Sequence, residues 1–135
     1  MTDKIAVLTG SSSGFGLLTA VELAKAGFRV VASMRDLGRR AKLDEAATSA
    51  AVAEKIDVRR LDVTEIATIP GFVEGVVRDY GHVDVLINNA GFAVAGFAED
   101  IKLEELRTQF ETNFFGPVAL THKVQVVAVQ AVGGQ

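Results

Sequence analysis

Residues 5–17 read Ile5-Ala6-Val7-Leu8-Thr9-Gly10-Ser11-Ser12-Ser13-Gly14-Phe15-Gly16-Leu17. Four apolar residues run into a stretch of glycines and serines. An apolar run this short, stopped by glycine, predicts a buried strand. Beyond it the period changes: Leu17, Ala20, Val21 and Ala24 recur at helical spacing until Gly27. The segment is therefore strand, small-residue loop, helix. A helix start presents N–H groups without intrahelical partners and a partial positive charge, which suits a pyrophosphate. Glycine lets the loop take positive φ and lets a phosphate approach the backbone. Gly10, Gly14 and Gly16 are in the context that separates a dinucleotide-binding loop from a plain glycine-rich turn.

The pattern repeats outward. Arg29–Met34 predicts a second strand and Asp36–Val52 a charged, alanine-rich helix, its start weakened by Gly38. Ile56–Leu61 predicts a third strand, ending at Asp62-Val63-Thr64. Pro70–Tyr80 predicts a helix, with proline in its first turn and Val73, Val76 and Val77 on one face. Val83–Ile87 predicts a fourth strand, ending at Asn88-Asn89-Ala90-Gly91, and Leu103–Lys123 a long helix. Alternating strands and helices specify an α/β fold: a Rossmann-type, doubly wound parallel sheet of order 3-2-1-4, truncated after about four strands. Its crevice falls at the carboxyl ends of the first and fourth strands, where the winding reverses and such folds bind ligands. Residues 1–123 form the dinucleotide-binding unit, and 124–135 an atypical tail. The tail carries no charged side chain; its valines favour a strand, its alanines and glutamines a helix.

Composition narrows the function. The chain has 135 residues, the size of one domain, and a net charge of -3 with acids and bases interspersed. It lacks the basic stripe of a nucleic-acid surface. The absence of cysteine excludes disulfides and thiolate zinc sites and fits a cytoplasmic protein. No signal-peptide pattern opens the chain, and no apolar run approaches the roughly 18 residues of a membrane span. His82 and His122 have no metal-ligand spacing. Ser11, Ser12 and Ser13 have no histidine or acid in a nucleophile pattern.

The second strand ends at Ser33-Met34-Arg35-Asp36. An acid at this point selects NAD through the ribose 2′-hydroxyl, whereas an arginine accommodates the 2′-phosphate of NADP. Arg35 lies about 20 residues beyond the loop, the expected distance, and its planar fork suits a phosphate. Asp36 is placed to cap the following helix. NADP is the expected cofactor, with NAD the alternative. Arg39 and Arg40 either add positive field there or lie on an exposed helix face, the second being the preferred reading.

Thr9-Gly10-Ser11-Ser12-Ser13-Gly14-Phe15-Gly16 resembles the TGxxxGxG loop of the short-chain dehydrogenase/reductase family, and Asn88-Asn89-Ala90-Gly91 resembles its NNAG motif. Asp62-Val63 resembles its adenine-contacting pair, and Asn113 its helix asparagine. Ser33-Met34-Arg35-Asp36 is similar to the NADP-preferring branch with 17β-hydroxysteroid and retinol dehydrogenase-like members. The resemblance implies a cofactor site of Thr9, Gly10, Ser12, Ser13, Gly14, Phe15, Gly16, Arg35, Asp62, Val63, Asn89, Ala90 and Gly91. It implies that Ser13 assists Arg35, that Asn88 ties the sheet together, and that Asn113 holds a water in a catalytic proton relay.

The same resemblance implies a catalytic serine and a tyrosine followed four residues later by lysine. The chain's one tyrosine, Tyr80, is followed at that distance by Asp84. The expectation is the NADP-binding N-terminal portion of a short-chain oxidoreductase, inactive alone; the alternative is a non-catalytic NAD(P)-binding or assembly module. A sheet that stops at Val83–Ile87 leaves an apolar edge. That edge predicts self-association, or cover by the valine-rich tail.

Overall fold

The computed structural model describes residues 3–92 and 96–133. Its elements are β1 (Ile5–Leu8), α1 (Gly14–Lys25), β2 (Arg29–Met34), α2 (Ala41–Ser49), β3 (Ile56–Arg60), α3 (Ile69–Tyr80), β4 (Val85–Ile87), α4 (Leu103–Phe110) and α5 (Gly116–Gly133). A 3-10 turn at Leu37–Arg39 precedes α2, and a π turn at Glu111–Phe115 joins α4 to α5. The strands are parallel, in the order β3-β2-β1-β4. Val7 faces Val31 on one side and Leu86 on the other. This is the Rossmann-like sheet expected from the alternation.

Strand side chains alternate between two cores, as a period of two requires. Leu8, Val30, Ala32 and Met34 pack beneath α1 and α2 against Ala20, Val21, Leu43 and Ala47. Ile5, Val7 and Val31 point the other way, toward Val76 of α3. Beside them Ile69 and Val73 of α3 meet Leu120 of α5, with Leu61 and Val63. Leu120 is fully buried, so α5 is fixed to the same face as α3. Both faces of the central strands are thereby covered, which explains their uninterrupted apolar runs.

Three boundaries differ from expectation. The second helix spans only Ala41–Ser49, because Asp36 accepts the Gly38 N–H at 2.9 Å and folds the preceding residues into the 3-10 turn. The fourth strand begins at Val85 rather than Val83. Just ahead of it Asp84 exchanges two bonds with Ile5: its carboxylate accepts the Ile5 N–H at 2.7 Å and its own N–H donates to the Ile5 carbonyl at 2.9 Å, with His82 Nε2 2.9 Å from the same carboxylate. The long helix is interrupted by the π turn and then runs on to Gly133, with Val124 and Val127 against the α3 core. Helix thus prevails over strand in the tail up to that residue. No helix among the described residues is long and apolar enough to cross a membrane.

Candidate nucleotide-binding cleft

The carboxyl ends of β1, β2 and β4 open onto a cleft of about 530 Å³, within the range of ligand sites. Gly10, Ser12 and Ser13 line one wall; Met34 and Arg35 lie at the end of β2. Asp62, Val63 and Thr64 come from the segment after β3, and Asn89, Ala90 and Gly91 from the segment after β4. Residues far apart in the chain meet because parallel strands deliver all their carboxyl ends to one edge.

The phosphate loop is held from beneath. Thr9 is buried, and its Oγ1 accepts the N–H groups of Asn89 and Ala90, both at 3.0 Å. Ser11 Oγ donates to the Ser33 carbonyl at 2.9 Å, and Ser33 Oγ to the Leu8 carbonyl at 3.1 Å. These hydroxyls support the loop and do not face the cleft. Gly10 has φ +70°, and a Cβ there would stand 2.8 Å from Ala90 Cα. Only glycine lets the two loops approach so closely. A side chain on Gly16 would overlap the Gly10 carbonyl, so α1 starts tight against the turn. Ser13 precedes α1 but makes no side-chain cap bond, which leaves the first-turn N–H groups available to an anion. Gly14, Phe15 and Gly16 open that helix without lining the cleft. The Phe15 ring is 83% exposed.

Arg35 and Asp62 set the electrostatics. Among the described residues Arg35 makes no hydrogen bond or ion pair, and it extends along the cleft wall. Asp36 is occupied by the Gly38 N–H, as its helix-capping position anticipated. Asp62 Oδ1 accepts both the Thr64 hydroxyl at 2.6 Å and the Thr64 N–H at 2.9 Å. Burial pushes the Asp62 carboxyl up, but the Thr64 bonds and the charges of Arg35 and Arg60 outweigh it and hold the group below its ordinary value. It is thus an ionised acceptor, suited to an exocyclic amine.

The opposite wall depends on Asn113, in the π turn. Its Oδ1 accepts the Phe92 N–H at 3.0 Å and its Nδ2 donates to the Phe92 carbonyl at 2.6 Å. The paired bonds fix the amide orientation, since each end matches only one partner. A Cβ on Gly91 would lie 2.9 Å from Asn113 Oδ1, so that glycine makes room for the clamp. Asn88 Nδ2 donates to Thr121 Oγ1 of α5 at 3.0 Å.

Sequence reasoning missed Thr64, the partner that orients Asp62, and Gly116. A Cβ on Gly116 would overlap the Val63 carbonyl, so α5 begins in backbone contact with the segment after β3. The Glu111-Thr112-Asn113-Phe114-Phe115-Gly116 stretch carried that signal, but its meaning depends on a contact across the fold. No cluster of His, Asp or Glu able to hold a metal occurs among the described residues. The loop before α1, a cation at the end of β2 and a carboxylate acceptor after β3 thus share one cleft.

The chain matches the short chain dehydrogenase family over residues 4–135. It is 45% identical to the uncharacterized oxidoreductase YusZ of Bacillus subtilis (strain 168) over 92% of its own length and 44% of that protein's. It is 40% identical to human retinol dehydrogenase 8, over 90% of its length and 39% of the relative's. A variant of the actinorhodin polyketide ketoreductase, solved with NADPH, superposes with a TM-score of 0.86 at 32% identity. That alignment covers 100% of this chain and 52% of the ketoreductase. The chain spans less than half the length of the two curated relatives.

Proposed function

Because the chain belongs to the short-chain dehydrogenase family, we propose that it is the NADP-binding N-terminal portion of an oxidoreductase working on a carbonyl or alcohol. The observation that carries this reading is the meeting, in one cleft, of the Gly10, Ser12 and Ser13 loop that leads into α1, the Arg35 guanidinium, unpartnered among the described residues, and the Asp62 carboxylate. Bound nicotinamide supplies or accepts the hydride. The chain's own residues do the holding. The loop 10–16 binds the pyrophosphate; Arg35, with Ser13, binds the 2′-phosphate; Asp62 accepts from the adenine amine beside the Val63 backbone. Asn89, Ala90 and Gly91 form the ribose wall.

Support for NADP over NAD is local. Arg35 is open to the cleft, while Asp36 is committed to Gly38. The ketoreductase neighbour was solved with NADPH. Asn113 keeps one unused donor and one unused acceptor position beyond its Phe92 clamp, enough to hold a water in a relay. Tyr80 is no substitute for a catalytic tyrosine: its hydroxyl donates to Asp57 at 2.6 Å, and the residue four places on is Asp84. The chain's own part in the reaction is to hold the cofactor. The apolar β4 edge drives self-association.

Calorimetric titration of the purified chain with NADPH and NADH tests the assignment. Saturable binding that prefers NADPH is expected. Arg35→Ala should weaken NADPH by roughly tenfold or more, the scale of one charge-assisted hydrogen-bonded contact, and leave NADH little changed. A folded chain that binds neither nucleotide would refute it and favour an assembly role with a vestigial cleft.

A further inference from the structure

Two serines beneath the cleft lie where no ligand reaches them. Ser11 and Ser33 are fully buried. Burying a hydroxyl costs free energy unless it is hydrogen-bonded, and alanine fills nearly the same space without that cost. Both hydroxyls are bonded, each across the gap between β1 and β2. Ser11 Oγ donates to the Ser33 carbonyl at 2.9 Å, and Ser33 Oγ donates to the Leu8 carbonyl at 3.1 Å. The Ser11 N–H donates to the same Ser33 carbonyl at 3.1 Å.

The place of this pair in the fold gives it a task. The ladder between β1 and β2 ends with Leu8 opposite Ala32. Beyond that point one segment becomes the glycine loop, and the other runs through Met34 to Arg35. Ser11 sits between Gly10 and Ser12, which line the cleft, and Ser33 is followed by Met34 and Arg35, which line it too. The two serines thus join the loop to the end of β2 where the ladder stops. Among the described residues the Arg35 side chain has no hydrogen bond to the loop. Its distance from the loop is therefore set by the backbone, which the serines hold.

We propose that Ser11 and Ser33 are positioning residues for the nucleotide: their bonds fix the spacing between the pyrophosphate loop and Arg35, and with it the preference for a nucleotide phosphorylated on the ribose 2′-oxygen. The proposal rests on the NADP reading of the cleft. A nucleotide that engages both the loop and Arg35 is held at two points, so its affinity depends on how well their separation is preset. A nucleotide without the 2′-phosphate engages the loop but not Arg35, and does not sense that spacing.

Titrations of the full chain with NADPH and NADH test this. Ser11→Ala is expected to bind NADPH about fivefold more weakly, the scale of one neutral hydrogen bond, with NADH within about twofold of the unmutated chain. The loss should vanish in the Arg35→Ala background, because the spacing matters only while both ends are engaged. Such non-additivity marks residues that act together. A merely structural role would weaken both nucleotides, with or without Arg35. Urea midpoints check that each variant is folded, and Ser33→Ala reads the same link should Ser11→Ala fail to fold. If the unmutated chain binds NADPH and the variants match it, or lose NADH equally, the positioning role is overturned and the cofactor assignment stands. If neither variant folds, the pair serves the fold alone and the proposal falls. If the unmutated chain binds neither nucleotide, both fall.

Discussion

At the scale of single residues the cleft is built from absences as much as from groups. Gly116 is the sharpest case. The atom a Cβ would strike is the Val63 carbonyl, a piece of backbone that cannot swing aside. Gly116→Ala is therefore expected to destabilise the chain by about 1–3 kcal/mol, as overpacking does, and to weaken nucleotide binding through displaced Asp62 and Val63. Gly71, in the first turn of α3, has nothing within 4 Å of its would-be Cβ. Gly71→Ala should stabilise by about 0.5 kcal/mol through helix propensity and lost chain entropy. Urea titrations of the two variants check the pair, and shifts of the same sign would refute the steric reading of Gly116. Sequence alone marks both positions only as glycine. It does single out Gly10 and Arg35 by their position relative to a strand end, and Asp62 through the family resemblance.

At the scale of elements, the two edges of the sheet are finished differently. β3 presents Asp57, Arg59 and Arg60, charges of the kind that discourage edge pairing. β4 offers only Val85, Leu86 and Ile87, half-buried, with β1 as its one strand partner among the described residues. α5 covers the face of β4 through the α3 core. Self-association through that edge is expected to appear as a concentration-dependent rise in sedimentation coefficient. Val85→Lys, a charge on the open strand, should return the chain toward the monomer. A chain that sediments as a monomer at every concentration, or a variant that associates equally, would refute the edge as the contact. β1, β2 and the strand order were legible in the sequence because short apolar runs between glycines admit few readings. The start of β4 was not. Val83 continues the apolar pattern, yet the strand begins at Val85, and the bonds that Asp84 exchanges with Ile5 join residues far apart in the chain. The π turn was likewise invisible, since Asn113 looks like any polar helix residue until Phe92 is brought beside it.

For the whole molecule, one ionic cluster ties α3 to the β3 edge and gives stability a pH window. Arg59 donates to Asp57 at 2.8 Å and to Asp79 at 2.7 Å, and Tyr80 donates to Asp57 at 2.6 Å. The Arg29 and Arg59 guanidinium groups lie 5.7 and 5.6 Å from the Tyr80 ring centroid, within cation–π range. Burial raises the Asp57 carboxyl, but the bonds from Arg59 and Tyr80 prevail and hold it below its ordinary value. A carboxylate depressed in the folded state contributes stability above its unfolded pKa of about 4 and loses it as pH falls through the lower folded value. Tyr80 runs the other way: burial, then the adjacent Asp57, push its phenol up. Its contribution is fully present below the unfolded pKa of about 10 and is lost as pH rises through the higher folded value. The cluster therefore supports a plateau bounded by Asp57 on the acid side and Tyr80 on the alkaline side. Tyr80→Phe should lower the plateau by about 1 kcal/mol, the net worth of one hydrogen bond. It should also flatten the alkaline fall. On the acid side it should move the fall to higher pH, because Asp57 loses one of the donors that depress it. Urea midpoints measured from pH 3 to pH 11 read all three effects together. An alkaline limb as steep in Tyr80→Phe as in the unmutated chain would place that titration on other groups and leave Tyr80 a packing residue only.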